Sequence, residues 1–281
     1  MTHRQILSEA TKCLSDAGID EASTDSWALF EYVFQMNRTQ YFMRSNDLAD
    51  EFVTEKFWEL INRRAGHEPL QYITQKAYFM GLEFFVNPSV LIPRYDTEIL
   101  VEETLKHITE GCNILDVCTG SGCIAISLGI LGKNCTIKGV DISKDALKVA
   151  ETNKLLNKSV KALDNVTFLE SDMFNNVTGQ YDIIVSNPPY IRSGEVDVLM
   201  PEVVGHEPRI ALDGMEDGLH FYRILASQSQ KLLKDNGLLI MEIGYDQAEE
   251  VRLLLENNNY TDITVIRDFA GHNRVVCGRR K

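Results

Sequence analysis

The sequence predicts an α/β protein in which a Rossmann-like, mainly parallel sheet follows a small helical bundle. Apolar residues recur at helical spacing over residues 1–75, a β-prone segment follows over 76–95, and strands alternate with helices over 96–281. Strand–helix alternation is typical of a parallel sheet that helices cover on both faces. We therefore expect three parts: an N-terminal helical domain (1–75), a β-hairpin linker (76–95) and an α/β domain (96–281).

Three helices and one hairpin are predicted before the α/β domain. The first helix ends near Gly18, the second covers residues 24–36, and the third covers residues 47–65. Three amphipathic helices can close a small bundle. In the linker, Asn87-Pro88 is the predicted turn between the β-prone stretches AYFMGLEFFV and SVLIP.

The α/β domain is predicted from short apolar runs that alternate with helical patterns. The predicted strands cover residues 113–117, 136–140, 166–170, 182–186, 238–243, 262–267 and 274–277. The last two strands are too close in sequence for a crossover helix, so we expect them to pair antiparallel.

Charge and cysteine content narrow the classes of function. The net charge is -13 and no basic stripe is present, whereas tight duplex binding needs cations that displace counterions from phosphate. The six cysteines include no Cys-x-x-Cys pair, and no run of about 18 apolar residues occurs. We expect a cytoplasmic monomer with reduced thiols that holds no metal, enters no membrane and contacts no nucleic acid directly.

A glycine-rich turn follows the first predicted strand of the α/β domain. It consists of Cys118, Thr119, Gly120, Ser121 and Gly122. Glycines let the backbone turn tightly and approach a ligand, and the following helix presents free N–H groups. Asp141 follows the next strand, where a carboxylate can accept both hydroxyls of a ribose. The same glycine spacing fits a dinucleotide-binding dehydrogenase or a structural turn, so this segment leaves three alternatives open.

Two further residues fit a nucleoside-containing ligand. Asp172 and Met173 follow the third predicted strand. An acid at this place can bond an adenine amino group, and an apolar neighbour can pack on its ring. Without its surroundings, Asp172 is equally compatible with a helix cap or a turn.

The most specific motif is Ser186-Asn187-Pro188-Pro189-Tyr190, at the end of the fourth predicted strand. Ligands bind at the carboxyl ends of parallel strands, and each proline restricts its own φ and the residue before it. The Asn187 side-chain oxygen and the Pro188 carbonyl can accept the two N–H groups of a planar amide or amine. This grip localises the nitrogen lone pair for attack on an electrophilic methyl group. Tyr190 can stack on the planar group, and no general base is required.

Together these motifs resemble a known group of enzymes. DVCTGSG, VDIS, SDMF and SNPPY resemble the amino-methyltransferases that use S-adenosylmethionine. The segments EPLQYI, VLIPRYDTE, EPRIAL and DFAGHNRV narrow the resemblance to the HemK (PrmC) family, the peptide chain release factor glutamine methyltransferases. The resemblance covers nearly the whole chain.

The resemblance implies a fold, a substrate and the roles of individual residues. It implies a seven-stranded methyltransferase domain that uses S-adenosylmethionine, an N-terminal substrate-docking bundle, and the Gln of a release factor's Gly-Gly-Gln loop as substrate in translation termination. Residues 118–122, Asp141, Met173 and Asn187 are implied to meet the cofactor, and residues 187–190 to hold the glutamine amide. Phe79, in the hairpin, is implied to cover the cofactor.

Two positions depart from the family's pattern. Cys118 stands where the family has Gly, which is tolerable if its φ is negative, and Tyr95 stands where the family has Pro. Arg94 has two candidate partners, a cofactor carboxylate or a backbone carbonyl. The competing functions are a glutamine methyltransferase of a ribosomal protein, an adenine-N6 nucleic-acid methyltransferase, a dehydrogenase and a non-catalytic cofactor-binding protein.

Overall fold

The N-terminal part of the chain is helical, as predicted, but it contains five helices instead of three. They are α1 (His3–Asp16), α2 (Ala22–Phe34), α3 (Arg38–Arg44), α4 (Glu51–Ala65) and α5 (Leu70–Thr74). The second predicted helix ends early because Gln35 adopts a left-handed conformation with φ 52. Asn37 then caps α3 by accepting a hydrogen bond from the Gln40 backbone N–H at 2.9 Å.

The computed structural model describes residues 1–281, which divide into two units. The first unit comprises Met1–Gln75 and Met200–His206, and the second comprises Lys76–Leu199 and Glu207–Lys281. None of the helices is both long and apolar enough to cross a bilayer.

The first unit is held by an aromatic core and one buried ion pair. Phe30 stacks on Phe34 with ring centroids 4.4 Å apart. Arg64 donates to Asp25 at 2.7 Å, and this pair is almost fully buried. The Arg64 guanidinium also reaches Glu202 at 3.2 Å. The segment that contains Glu202 is thereby tied to α4.

The second unit begins with a β-hairpin, whose predicted turn was wrong. Strands β1 (Lys76–Phe79) and β2 (Leu82–Phe85) pair antiparallel. The turn is Met80-Gly81, with φ of 51 and 74, because a two-residue hairpin turn of type I′ needs positive φ at both positions. Asn87 instead forms a local turn by accepting the Ser89 backbone N–H at 2.9 Å.

Seven strands form the main sheet in the order β5-β4-β3-β6-β7-β9-β8. They are β3 (Asn113–Val117), β4 (Thr136–Asp141), β5 (Val166–Glu170), β6 (Tyr181–Ser186), β7 (Leu233–Glu242), β8 (Tyr260–Arg267) and β9 (Asn273–Arg280). The first five of these strands run parallel, and β9 pairs antiparallel with both β7 and β8. The predicted α/β fold class and the antiparallel final pair are confirmed.

Helices cover both faces of this sheet. They are α6 (Tyr95–His107), α7 (Cys123–Leu131), α8 (Lys144–Leu156), α11 (His220–Gln228) and α12 (Ala248–Asn257). The short helix α9 (Ser193–Val196) follows β6 in the chain, and α10 (Pro201–His206) belongs to the first unit. Alternate residues of β3 enter different cores: Ile114 packs on one face and Leu115 on the other. Such two-sided burial explains why the parallel strands read as continuous apolar runs.

The strand order reverses at β3, which lies between β4 and β6. The chain passes from β3 to β4 on one side and later returns to β6 on the other. In open α/β sheets, ligands bind in the crevice beyond the carboxyl ends of the strands at this switch point.

Candidate functional site

A cavity of ≈ 370 Å³ opens at the carboxyl edge of the sheet, beside the switch point. This volume lies within the roughly 300–1,000 Å³ usual for small-molecule sites. Nine of the residues predicted for the site line it: Cys118, Thr119, Gly120, Ser121, Asp141, Asp172, Met173, Asn187 and Pro189. The turns that follow β3, β4, β5 and β6 therefore meet at one cavity.

A buried carboxylate holds the glycine-rich turn in place. Asp116, on β3, accepts hydrogen bonds from the Thr119 hydroxyl at 2.6 Å and from the Ala125 backbone N–H at 3.2 Å. Burial raises the pKa of Asp116 to about 7, although these two hydrogen bonds oppose the rise. The turn is thus fastened both to its own strand and to the first turn of α7. Asp116 was not among the predicted site residues.

The backbone of the turn is left-handed at alternate positions. Cys118, Gly120 and Gly122 have φ of 61, 53 and 79. The negative φ under which Cys118 was expected to be tolerable is therefore not found, and the Cys118 backbone adopts a conformation that favours glycine. At Gly122 a Cβ atom would lie 3.0 Å from both Ala150 and Phe168, so this position needs glycine for space as well as for conformation.

Asp141, after β4, presents a fixed carboxylate to the cavity. It accepts the backbone N–H groups of Gly120 and Ser143, each at 2.9 Å. Burial raises its pKa, while these backbone hydrogen bonds lower it. Each carboxylate oxygen can accept more than one hydrogen bond, so Asp141 retains acceptor capacity toward a ligand.

The turn after β5 adds one exposed acid and one buried apolar side chain. Asp172 is exposed and lines the cavity, whereas Met173 is 8% exposed. Ser171 fixes this turn by donating to the Met173 carbonyl at 2.9 Å and accepting the Asn176 N–H at 3.0 Å. A polar and an apolar group therefore face the cavity next to each other.

The double-proline corner after β6 places Asn187 at the cavity wall. The Asn187 side-chain nitrogen donates to the Thr97 hydroxyl at 3.1 Å, and no protein donor bonds the side-chain oxygen. Pro189 lines the cavity, but Pro188 and Tyr190 are not lining residues. The Tyr190 carbonyl accepts the Gln247 side-chain amide at 3.0 Å, which anchors the end of the corner.

Phe79 does not line the cavity. It is 1% exposed and packs edge-on against Phe84, with centroids 6.2 Å apart. Alternation along β1 turns Phe79 into the core and leaves Tyr78 exposed. The structure thus shows Phe79 packed in the core, and its implied contact with the cofactor stays a prediction. Gly122, which is the N-cap of α7, also does not line the cavity.

Several residues at the site were not predicted from the sequence. Thr97 lines the cavity. Arg94, for which the sequence left two partners open, also lines the cavity and forms a 2.5 Å ion pair with Glu207 instead of bonding a backbone carbonyl. Glu242 lies behind Asn187 and is 2% exposed. The sequence signal that could have identified Glu242 is a carboxylate at the end of an apolar strand, in the segment LLIME.

Comparison with known proteins identifies relatives over the full length. The family model described as PrmC N-terminal domain matches residues 5–74, and that described as Methyltransferase small domain matches residues 95–207. A release factor glutamine methyltransferase of Clostridium acetobutylicum is 40% identical over 285 residues, covering 100% of this chain and 99% of that protein. One from Fusobacterium nucleatum is 38% identical over 280 residues, covering 98% of this chain and 78% of that protein.

A solved structure shares the fold over most of the chain. A methyltransferase from Pyrococcus furiosus aligns with a TM-score of 0.56 at 17% identity, covering 78% of this chain and 98% of that one. At this identity the likeness concerns the fold alone.

Proposed function

The chain belongs to the release factor glutamine methyltransferase family, and from this premise we propose that it methylates the side-chain amide nitrogen of a glutamine in a peptide chain release factor. The methyl donor is S-adenosylmethionine, and the glutamine is that of the Gly-Gly-Gln loop. The observation that carries the proposal is the placement of Asn187. Its free side-chain oxygen and the glycine-rich turn of residues 118–122 belong to one site.

The cavity residues fit the methyl donor. Asp141 offers acceptors for two ribose hydroxyls, Met173 offers an apolar surface for the adenine ring, and Asp172 offers an acceptor for its amino group. Gly120 has open space where a Cβ would point, so the backbone of the turn can be approached closely. When bound, S-adenosylmethionine supplies an electrophilic methyl group attached to a positively charged sulfur.

The corner of residues 187–190 orients the amide that receives the methyl group. The Asn187 oxygen and the Pro188 carbonyl accept the two N–H groups of the glutamine, and Tyr190 fixes the plane of the amide. Two prolines in succession keep these acceptors rigid. Orientation of this kind contributes up to roughly 7–11 kcal/mol in favourable cases. The amide nitrogen becomes strongly acidic only once it carries the methyl group, so it then loses its proton to water and no general base is needed.

We assign the N-terminal helical domain to docking of the protein substrate. Phe42, Met43 and Phe52 are large apolar side chains with exposures of 73%, 81% and 77%, and exposed apolar groups on such a domain suit protein contact. A translation factor as substrate implies the cytoplasm as the compartment. We propose that the enzyme acts as a monomer and binds no nucleic acid directly.

The proposal is tested by incubating the purified chain with methyl-labelled S-adenosylmethionine and a release factor. We expect label in the release factor, and none when the glutamine of its Gly-Gly-Gln loop is replaced by alanine. Parallel arms contain a ribosomal protein mixture and an oligonucleotide. Label in either of these, with an unlabelled release factor, would contradict the proposal and favour the corresponding alternative.

A second measurement separates substrate binding from cofactor binding at Asn187. We expect Asn187→Ala to lower turnover strongly while the Kd for S-adenosylmethionine, measured by calorimetry, changes little. An equal loss of both would mean that Asn187 mainly serves the cofactor.

A further inference from the structure

Glu242 lies directly behind the acceptor corner and has no role in the reaction outlined above. It is the last residue of β7, and the preceding Met241 pairs with Ser186, which precedes Asn187. Adjacent strands therefore bring Glu242 and Asn187 side by side. Glu242 is 2% exposed, and its Oε2 atom has no hydrogen-bond partner.

Thr97 connects Glu242 to Asn187. The Thr97 hydroxyl accepts the Asn187 side-chain amide at 3.1 Å. A hydroxyl that accepts still has one proton to donate. The carboxylate of Glu242 lies next to both Thr97 and Asn187, and a carboxylate can only accept hydrogen bonds. Donation thus runs in one direction, from the Asn187 amide to the Thr97 hydroxyl and on to the Glu242 carboxylate.

This direction determines which end of the Asn187 amide faces the substrate. An asparagine side chain has a donor end and an acceptor end of nearly equal size, and its orientation follows from its hydrogen-bond partners. Here the donor end is occupied by Thr97 and Glu242. The acceptor end is left for the N–H groups of a glutamine amide.

We propose that Glu242 is a positioning residue that acts through Thr97 to keep the oxygen of Asn187 turned toward the substrate amide. The inference rests on the function proposed above. A carboxylate can only accept hydrogen bonds, whereas a carboxamide or a protonated carboxyl can also donate. Loss of the negative charge at position 242 therefore removes the fixed direction of the network.

A purely structural role does not account for this carboxylate. Arg274 is the nearby cation, but it pairs with Asp96 at 3.0 Å and with Asp268 at 3.1 Å. Glu242 is left without an ion pair within salt-bridge distance and with one unpaired oxygen. Buried carboxylates kept for stability are ordinarily paired and fully hydrogen-bonded.

The test compares Glu242→Gln with Thr97→Val in steady-state methylation of a release factor. We expect each substitution to lower kcat about 10- to 100-fold, the range seen when a group that orients a ligating side chain in metal sites is removed. The Kd for S-adenosylmethionine should stay near that of the unaltered enzyme. Thr97→Ser retains the hydroxyl and should restore most of the activity that Thr97→Val loses.

Two controls separate positioning from general damage. Asp182→Asn removes a carboxylate at the opposite end of β6, where Asp182 pairs with Lys234 at 2.7 Å, and should leave kcat unchanged. In the Asn187→Ala background, Glu242→Gln should change kcat by less than about twofold, because residues that act through one another are not additive.

The outcomes distinguish this inference from the function on which it rests. If the unaltered chain labels no release factor glutamine, the proposed function fails and the inference falls with it. If the unaltered chain is active and Glu242→Gln is equally active, or its effect adds fully to that of Asn187→Ala, only the inference is overturned. Should Glu242→Gln not fold, the Thr97→Val and Thr97→Ser pair decides the question by the same criteria.

Discussion

Replacing Glu242 with glutamine should make the free energy of unfolding less dependent on pH. Burial raises the pKa of Glu242 from 4.5 to about 7. The folded protein therefore binds this proton more tightly than the unfolded chain does. Stability contributed by the protonated carboxyl is fully present below pH 4.5 and is lost as the pH rises to about 7.

The size of the effect follows from these two pKa values. Between pH 5 and pH 8, linkage through Glu242 should lower the unfolding free energy by about 2–3 kcal/mol. Glutamine has no proton to lose, so the variant lacks this component. Any cost of burying its amide is the same at both pH values and cancels in the comparison. Asp116, whose pKa is also raised to about 7, titrates in both proteins and cancels too.

Several groups around Glu242 act on its pKa in opposite directions. Hydrogen bonding to Thr97, attraction to Arg274 and hydrogen bonding to Asn187 oppose the rise in pKa, while Asp96 reinforces it. Tyr190 and Tyr222 also lie nearby, but burial raises the pKa of each phenol above its ordinary value. Both tyrosines therefore stay neutral between pH 5 and pH 8.

The assay is denaturant unfolding of both proteins at pH 5 and pH 8, followed by far-ultraviolet circular dichroism. Both tryptophans, Trp27 and Trp58, lie in the first unit, so tryptophan fluorescence does not report directly on the sheet that holds Glu242. If the difference between the two proteins is the same at both pH values, within about 0.5 kcal/mol, the raised pKa of Glu242 is wrong. Glu242 would then not be a carboxylate whose ionisation destabilises the folded protein.

Three other substitutions test the contact of Asp141 with the cofactor, the backbone strain at Cys118 and the buried ion pair of the first unit. Asp141→Asn should weaken S-adenosylmethionine binding by about 1.5–3 kcal/mol, the worth of hydrogen bonds to a charged group; an unchanged Kd in calorimetry would contradict the ribose contact. Cys118→Gly should raise the unfolding free energy by up to about 1 kcal/mol by relieving the left-handed strain, and a lower thermal midpoint would show that the thiol's packing outweighs it. Arg64→Ala should destabilise the first unit by about 3–5 kcal/mol because it leaves Asp25 buried without its partner. The control Arg63→Ala, at an exposed position, should cost at most about 1 kcal/mol. Equal unfolding midpoints of these two variants in tryptophan fluorescence would contradict a stabilising role of the buried pair.

Local patterns were sufficient to predict the fold class, but they misplaced the hairpin turn. Alternation of strands and helices was visible because each element carries its own periodicity. The turn was assigned to Asn87-Pro88 because these residue types favour turns in isolation. The actual turn places Met80 at φ 51, a conformation that strand pairing imposes and that methionine does not favour by itself. Strand pairing is a tertiary property, so the sequence pattern could not reveal it.

The difference between local motifs and tertiary contacts also explains which site residues were predicted. The turn of residues 118–122 and the corner of residues 187–190 are short motifs whose chemistry is local. Thr97 and Glu242 reach Asn187 from α6 and from β7, respectively. Their contact depends on the strand order and on how α6 packs, neither of which the spacing of residues encodes. Phe79 does not line the cavity because alternation along β1 turns its side chain into the core.

Two buried carboxylates at the carboxyl ends of strands, Asp116 on β3 and Glu242 on β7, have similar surroundings. Asp116 accepts the Thr119 hydroxyl behind the cofactor turn, and Glu242 faces the Thr97 hydroxyl behind the acceptor corner. Each has one oxygen without a hydrogen-bond partner and a pKa raised to about 7. Ionised and incompletely bonded groups lower stability, so their presence at a folded enzyme's core needs a compensating benefit. Asp116 acts through Thr119 on the glycine-rich turn, and Glu242 acts through Thr97 on the Asn187 side chain. The benefit is therefore a fixed orientation of the groups that contact the ligands.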